Sequence, residues 1–395
     1  MRRRTLFGLA AGSLTAAALG ESGAAFAGPP GNAAALLTDT HHSPGPRADL
    51  VVAADGSGDF TGVQTAVDAV PAGNAAPFLI AIKPGVYSGQ VIVPADKPYV
   101  RLRGLGRDPR QVVITDNRAN GTPKPEGGTW GTSGSASVTI DGAGFTARNL
   151  TLSNSFDEAA HPEITNRQAV AVLTRADRLT FENGFDELAH PEITGRQAVA
   201  VLTRADRLTF EDVRFLGNQD TLYLNSSAAT VRARVYLRRV YVEGDVDFIF
   251  GRASAVFEHS RIHSLDRGST TNNGYVTAPS TDISNPYGLL FSRCAFTSDA
   301  PPASVYLGRP WHPSQDPNAI GQALIRESVL GAHIGPAPWS DFGTWSWRDA
   351  RLAEYRNWGP GATVTADRPQ LTAPQAAALT TTAYLTGDDG WAPHR

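Results

Sequence analysis

From Leu50 onward the chain is a series of short apolar runs, each interrupted by a polar step near its middle. Apolar and polar residues alternate within each run, which is the period of a β-strand. The clearest runs are 145–152, 208–215, 235–242, 256–262, 290–296 and 324–330. Most recur at intervals of about twenty to thirty-five residues, which is typical of stacked coils. A β-sandwich would show hairpins every eight to twelve residues or so. The pattern therefore predicts an all-β, single-domain parallel β-helix.

One early segment has a different period. Residues 63–70 show helical spacing of apolar positions, and Pro71 follows as a stop signal. We expect a helix here that caps the N-terminal end of the stack.

A tandem repeat occupies residues 150–178 and 179–207. Five of the 29 aligned positions differ, so 24 match. A stacked-coil fold can absorb one more coil, because each coil contacts only its neighbours. We therefore expect the duplication to form one extra coil. The alternative, a long surface loop, fits poorly with a segment so rich in β-branched and aliphatic residues.

Composition limits the classes of function. The 395 residues are 41% hydrophobic and 18% charged, which suits a soluble protein with a large core. A net charge of -3 provides no overall field that would attract nucleic acid. The single cysteine, Cys294, lies close to Phe291 and Phe296, which predicts a buried, unreactive thiol. No Cys/His cluster has the spacing of a zinc site.

The N-terminus carries a targeting pattern. Arg2, Arg3 and Arg4 precede an Ala/Leu/Gly-rich stretch over 6–19, and residues 25–27 (Ala-Phe-Ala) fit a cleavage site. The stretch is too short to span a bilayer comfortably. We predict an export signal over 1–27, compatible with a twin-arginine route, a flexible linker over 28–48 and the β-helix domain over 49–395. The mature protein would then be secreted, extracellular and free of a membrane anchor.

Two acidic residues stand in β-prone apolar surroundings. Asp220 lies in the segment 217–223 and Asp247 in the segment 244–251. A carboxylate in such a place is costly unless it is paired or used, so the two suggest an acid/base or nucleophile/acid pair. A buried aspartate that caps a turn is the structural alternative at each position. Asp245, close to Asp247, would raise one of the two pKa values by like-charge repulsion.

Polar and aromatic residues add candidates for a site. Gln197 and Gln219 are 22 residues apart, about one coil, and amides on one face can stabilise an oxyanion. Glutamines in strands also form plain hydrogen-bond ladders. Arg309 could pair with a carboxylate, and Trp311 offers a flat face to a sugar ring. A surface salt bridge and a core tryptophan are the alternatives.

Taken together, these segments resemble the pectin methylesterase family. The matching segments, in the family's order, are 55–60, 84–87, the Gln-Ala-Val-Ala segment, 219–222, 247–251, 307–311 and 354–357 with 359–361. They cover nearly the whole chain after the linker. The resemblance implies a right-handed parallel β-helix that hydrolyses the methyl esters of polygalacturonate to pectate and methanol.

The resemblance also implies a role for each site residue. Asp247 would be the nucleophile, Asp220 the general acid and then base, and Arg309 the partner that holds Asp247 ionised. Gln219 and Gln197 would stabilise the oxyanion. Burial of Asp220 would keep it protonated. The substrate-binding positions would be Trp311, Phe250, Val246 and Tyr275. The resemblance implies methylated homogalacturonan as the partner of a monomer, and no metal or cofactor.

The chain departs from the family at the Gln-Ala-Val-Ala segment, which occurs twice, at Gln168 and Gln197. We assign the role to Gln197, which is one coil before Gln219; if the first copy occupies the working coil, Gln168 takes it. Rival functions are another pectin-active β-helix enzyme, a lyase or a hydrolase, and an exported pectin-binding protein with impaired catalysis. The calcium-binding acidic cluster that a lyase would need is not evident in the sequence.

Overall fold

The structure, a computed structural model, describes residues 47–157, 160–182, 198–269 and 271–393. The predicted export signal lies outside these residues, as does the linker up to residue 46. The strands of the described residues are β1 Leu50–Val52, β2 Phe78–Ile82, β3 Gly85–Ser88, β4 Val91–Val93, β5 Val100–Gly104, β6 Val112–Asp116, β7 Val138–Ile140, β8 Thr146–Arg148, β9 Thr151–Asn154, β10 Ala169–Thr174, β11 Thr180–Glu182, β12 Ala198–Thr203, β13 Leu208–Glu211, β14 Arg214–Phe215, β15 Leu222–Leu224, β16 Arg234–Arg238, β17 Tyr241–Gly244, β18 Val246–Gly251, β19 Ser254–Glu258, β20 Arg261–Ser264, β21 Gly274–Pro279, β22 Leu289–Ser292, β23 Ala295–Ser298, β24 Val305–Gly308, β25 Gln322–Arg326, β26 Val329–Leu330 and β27 Arg351–Tyr355.

Helices are few and short in the part of the chain that the structure describes. The α-helices are α1 Val63–Asp68, α2 Gly131–Gly134, α3 Ala373–Ala378 and α4 Thr381–Leu385, and 3-10 turns occur at Pro109–Gln111, Pro313–Gln315 and Trp347–Asp349. None of the described helices has the length and apolar character needed to cross a membrane.

The strands form parallel sheets of 11, 8, 5 and 3 strands. Each paired strand runs parallel to its neighbour. Successive strands belong to different sheets: β18 is in the 8-stranded sheet, β19 in the 11-stranded sheet and β20 in the 5-stranded sheet, before β21 returns to the first. This path is a coil, and the inward side chains of stacked coils form one continuous hydrophobic core. The predicted parallel β-helix is confirmed.

The polar step in each run is a corner between two sheets. In four successive coils the corner residues Asp212, Arg239, His259 and Arg293 have φ between 50° and 55°. This left-handed conformation turns the chain sharply, so the run that began in the 11-stranded sheet continues in the 5-stranded sheet. Each corner N–H then donates to a carbonyl of the next coil, as from Arg239 to Glu258 at 3.0 Å. A polar residue at the corner keeps its side chain outside the core.

The duplication forms an extra coil, as predicted. Strands β10 and β12 pair with Ala169 opposite Ala198 and Thr174 opposite Thr203, so each residue lies against its own copy 29 positions later. In the next sheet, Thr180–Glu182 pairs with Thr209–Glu211 at the same offset. The rings of Phe181 and Phe210 stack inside the coil at 4.8 Å. A loop is therefore excluded for these strands.

Two smaller expectations are also confirmed. Helix α1 forms near the N-terminal end of the stack and buries Val63, Ala66 and Val67. The Cys294 thiol is buried, and burial raises its pKa to about 12, so a reactive thiolate is strongly disfavoured.

Candidate active site

Asp220 and Asp247 are brought together by strand register. Leu222 pairs with Ile249 across β15 and β18, so the positions two residues earlier, Asp220 and Asp247, lie at the same level of adjacent coils. The backbone N–H of Asp220 donates to the Val246 carbonyl at 3.1 Å. Both aspartates are in the left-handed region, at φ 66° and 51°. Such a conformation is unfavourable outside glycine and is common at functional sites, where it re-aims side chains.

Arg309 holds the Asp247 carboxylate with two parallel hydrogen bonds. Its Nε donates to Oδ1 at 2.9 Å and its Nη2 donates to Oδ2 at 2.7 Å. Arg309 directly follows β24, and its backbone N–H donates to the Thr277 carbonyl at 3.0 Å, which anchors it two coils away from Asp247. A forked ion pair of this kind fixes the orientation of the carboxylate and favours its charged form.

The guanidinium of Arg309 is itself enclosed by two aromatic rings. Its Cζ lies 3.9 Å from the centre of the Tyr275 ring and 4.4 Å from the centre of the Phe342 ring. Cations are attracted to aromatic faces at such distances, and the attraction grows when water is excluded. Tyr275 was predicted from sequence as a groove residue, whereas Phe342 was not predicted.

A second buried acid, Asp245, lies next to the ion pair. Its side chain is 0% exposed, its Oδ1 accepts the Val246 N–H at 2.6 Å, and its Oδ2 lies 3.6 Å from Arg267 Nε. Burial raises the pKa of Asp247, Arg309 opposes this effect, and the charge of Asp245 adds to the rise. The net direction is upward, so the sequence-based expectation of like-charge repulsion from Asp245 is confirmed in sign.

The two catalytic candidates differ in burial, but in the opposite sense to our expectation. Asp247 is buried, whereas Asp220 and the preceding Gln219 are half-buried. The expectation that burial would protonate Asp220 is therefore not matched, because the desolvation falls mainly on Asp247. The positive φ of Asp220 places it at a bend just before β15, where its side chain is still partly in contact with solvent.

Beside the aspartates lies a set of packed aromatic rings. Tyr223 and Phe250 stack at 4.2 Å, and Trp311 contacts both edge-on, at 5.9 and 5.5 Å. The predicted substrate-binding residues Phe250 and Trp311 therefore lie together, and Trp311 and Tyr223 are partly exposed. Val246, the fourth predicted position, is buried and pairs with Tyr275 across β18 and β21. The rings supply flat apolar faces next to the polar centre.

Of the two candidate glutamines, only Gln168 lies within the described residues. Gln197 lies outside the described residues, so its assignment stays a prediction. Gln168 immediately precedes β10, and its Oε1 accepts a hydrogen bond from Asn120 Nδ2 at 3.2 Å. Strand β12 lies between β10 and β15, so Gln168 is two coils from the level of Asp220. This is one coil, or about 5 Å at the usual strand spacing, farther from Asp220 than β12 is.

Some site residues could not be recognised from sequence. Tyr223 follows Asp220 by three positions but was not predicted as a site residue, and Arg267 and Phe342 lie in loops without any periodic pattern. The sole local signal near Phe342 is the turn glycine Gly343, at φ 61°. Nothing in the spacing indicates that this turn reaches Arg309. Among the described residues, no group of three or more His, Cys, Asp or Glu is arranged to hold a metal ion.

Fold and site together define a parallel β-helix with a carboxylate centre on its 8-stranded sheet. The Pectinesterase family model matches residues 49–187 and 181–388. The chain therefore belongs to the pectinesterase family, whose members are carboxylic ester hydrolases. The two matched segments overlap at 181–187, within the second copy of the repeat, as expected when one coil has been added to the family's fold.

Individual relatives agree with this assignment. Pectinesterase A of Dickeya dadantii (strain 3937) is 34% identical, covering 85% of this chain and 88% of the relative. Pectinesterase 31 of Arabidopsis thaliana is 34% identical, covering 79% of this chain and 83% of the relative.

Solved structures give the same result for the fold. A pectin methylesterase in complex with a hexasaccharide has a TM-score of 0.65 at 32% identity, covering 88% of this chain and 98% of that one. Pectin methylesterase from Erwinia chrysanthemi gives the same score, identity and coverage. The predicted right-handed parallel β-helix is confirmed.

Proposed function

We propose that this chain is a pectin methylesterase in which Asp247 and Asp220 perform the hydrolysis of galacturonate methyl esters. The observation that carries the assignment of roles is the forked Asp247–Arg309 pair beside Asp220. The guanidinium opposes the rise that burial causes in the Asp247 pKa, and it holds the carboxylate in one direction of attack. Family membership supplies the reaction class and the pectin substrate.

In the first half-reaction, an oxygen of Asp247 attacks the ester carbonyl carbon. The carbonyl electrons move onto oxygen, and the resulting oxyanion is stabilised by the amides of Gln219 and Gln197. The intermediate collapses, the bond to methoxide breaks, and Asp220 donates the proton that makes methanol. Asp247 is then joined to the galacturonate carbonyl as an anhydride.

In the second half-reaction, Asp220 accepts a proton from water and the hydroxide attacks the galacturonate carbonyl. The anhydride bond breaks, Asp247 leaves as a carboxylate, and Asp220 is again protonated. One ester and one water give one carboxylic acid and one methanol. Asp220 needs access to both the leaving group and water, and its half-buried position is compatible with that task.

The aromatic rings suit the polymer. Sugar rings present apolar C–H faces that pack on aromatic side chains, so Trp311 and the Tyr223–Phe250 stack are proposed to bind galacturonate units near the reacting ester. The N-terminal pattern over residues 1–27 supports export of the enzyme to the polymer.

Methanol release from methylated homogalacturonan tests the proposal. We expect release by the wild type, and a loss on the order of 10⁴-fold in Asp247→Asn, because an amide of equal size is a poor nucleophile. Asp212→Asn is the matched control, since Asp212 has a similar forked pair with Arg239 at 2.7 and 2.6 Å on a distant corner. Reducing ends or unsaturated products without methanol, or full activity of Asp247→Asn, would contradict it.

A further inference from the structure

The Phe342 ring is a second aromatic contact of the Arg309 guanidinium, besides Tyr275. The distances of 3.9 Å to the Tyr275 ring and 4.4 Å to the Phe342 ring place the cation within contact of both. The edge of the guanidinium that carries Nε and Nη2 is used by Asp247. Because the ion pair holds one edge of the group and two rings pack against it, Arg309 has little freedom to move.

The loop that carries Phe342 is a tight, separately anchored hairpin. The backbones of Phe342 and Trp345 exchange hydrogen bonds of 2.9 and 3.0 Å around the turn at Gly343. The Trp347 N–H donates to Asp341 Oδ1 at 2.9 Å, which closes the base of the loop.

A stacked pair of rings holds the hairpin against the segment that follows Arg309. The ring of Trp345 stacks on His312 at 3.7 Å, and its Nε1 donates to Gln315 Oε1 at 3.2 Å. His312 and Arg309 belong to the same segment after β24, so the hairpin is fixed to the chain whose arginine it covers.

We propose that Phe342 is a positioning residue of the esterase: it holds Arg309, and through Arg309 the nucleophile Asp247, in the attacking geometry. This inference rests on the proposed function. Phe342 reaches the reacting carboxylate through Arg309 and contributes no proton or nucleophile of its own. A displacement of a catalytic group by about 1 Å is enough to lower a rate 10²-fold, so a clamp that prevents it has a large effect on turnover.

Two substitutions of Phe342 distinguish the effect of its aromatic ring from the effect of its volume. We expect Phe342→Leu to lower kcat for methanol release about tenfold with little change of KM, since the cation–π attraction is lost while much of the volume stays. Phe342→Tyr keeps the aromatic face and should restore kcat to within about twofold. The acid limb of the kcat profile should move to higher pH in Phe342→Leu, because a looser Arg309 stabilises the Asp247 carboxylate less.

Tyr355→Leu is the matched control. The Tyr355 ring, on β27 in the 11-stranded sheet, lies 5.5 Å from the Cζ of Arg326 and 5.1 Å from that of Arg356. Removing it takes away an equivalent aromatic–arginine contact far along the coil from the site. Its kcat and pH profile should match those of the wild type.

The outcomes are distinct. Wild-type kcat and pH profile in Phe342→Leu would overturn the inference while leaving the esterase assignment intact. Equal losses in the Leu and Tyr variants would also overturn it, because the ring would not be the cause. If Phe342→Leu does not melt cooperatively, Trp345→Leu replaces it as the test, because this substitution loosens the hairpin without touching Arg309. An unchanged kcat in Trp345→Leu would overturn the inference that the hairpin positions Arg309. No methanol from the wild type would remove the proposed function and this inference with it.

Discussion

At the scale of single residues, the balance of charges around Asp247 decides its reactivity. Three effects meet at this carboxylate: burial and Asp245 raise its pKa, and Arg309 lowers it. Asp220 lies at the same level on the neighbouring coil, Tyr275 lies on β21, and Arg267 faces Asp245. As the proposed nucleophile, Asp247 has to be ionised, so activity should be lost on acidification from a higher pH than an ordinary aspartate would give.

Asp245→Asn tests this balance. Asparagine keeps an oxygen that can accept the Val246 N–H but removes the charge that raises the pKa of Asp247. The folded-state pKa of Asp247 should fall, so the acid limb of the kcat/KM profile should move to lower pH. A profile measured from pH 4 to pH 8 that coincides with the wild-type profile would show that Asp245 is not electrically coupled to the nucleophile.

Arg309→Lys examines the forked geometry. Lysine retains a positive charge but cannot donate two parallel hydrogen bonds or fill the space between two rings. We expect kcat to fall at least tenfold with the fold retained, and Arg309→Ala to be destabilised by about 3 kcal/mol or more, since it leaves a buried carboxylate without its partner. Urea unfolding and methanol release measure the two effects. A lysine variant with wild-type kcat would show that charge alone suffices.

At the scale of elements, close approach between neighbouring coils positions the segment that contains Asp245 and Asp247. Gly274 begins β21 at φ 147°, and a Cβ at this position would lie 1.8 Å from the Asp245 carbonyl oxygen. The adjacent Tyr275 N–H donates to this same oxygen at 3.0 Å. The missing side chain is therefore what allows β21 to pair with β18 at the level of the active-site acids.

Gly274→Ala should separate these strands. We expect a loss of about 2 kcal/mol or more in the free energy of unfolding, and reduced kcat because Tyr275 and Asp245 shift together. Gly62→Ala is the control, since its Cβ would meet nothing closer than 3.5 Å. Denaturant midpoints of the two variants give the comparison, and equal midpoints would show that β21 can move without cost.

The elements also show how far local patterns extend. Alternation predicted the strands, and the polar step in each run marked the corner between two sheets. The pattern did not show that the step itself is left-handed, because polar residues interrupt apolar runs for other reasons too. Loop residues such as Phe342 had no pattern to interpret, since their contacts depend on which coil the loop returns to.

At the scale of the whole molecule, the added coil is an insertion that leaves its neighbours intact. Strands β10 and β12 of the two copies pair through identical residues in register, and the second copy pairs in the same way with residues 209–211 that follow it. Coils interact mainly with adjacent coils, and stability is then close to a sum over neighbours.

Deletion of residues 150–178 should therefore give a folded, active enzyme. Asn149 would be followed by Leu179, which repeats Leu150, and Gln197 would be retained. We expect a cooperative melting transition and methanol release within about tenfold of the wild type. Deletion of residues 256–284, an equally long segment that removes most of β19 and all of β20 and β21, is the control and should not fold. An unfolded 150–178 deletion would show that the extra coil has become essential.

The glutamines provide the matching functional test. If the second copy supplies the working coil, Gln197→Ala should lower kcat by roughly 10²–10³-fold, as expected for loss of one oxyanion donor. Gln168→Ala should stay close to the wild type, because Gln168 is one coil further away and bonded to Asn120. The reverse result would assign the role to Gln168.

The sequence by itself determined the stacked-coil fold, the extra coil and most of the candidate site residues. Strand alternation, corner polarity and the repeat are local features, which are visible in the order of neighbouring residues. Only the tertiary structure decided that Arg309, 62 residues from Asp247, forms its forked partner, that burial falls on Asp247 instead of Asp220, and that Phe342 covers the guanidinium. These facts depend on how many residues each coil contains and where each loop returns, and both are set by the packing of distant segments against one another.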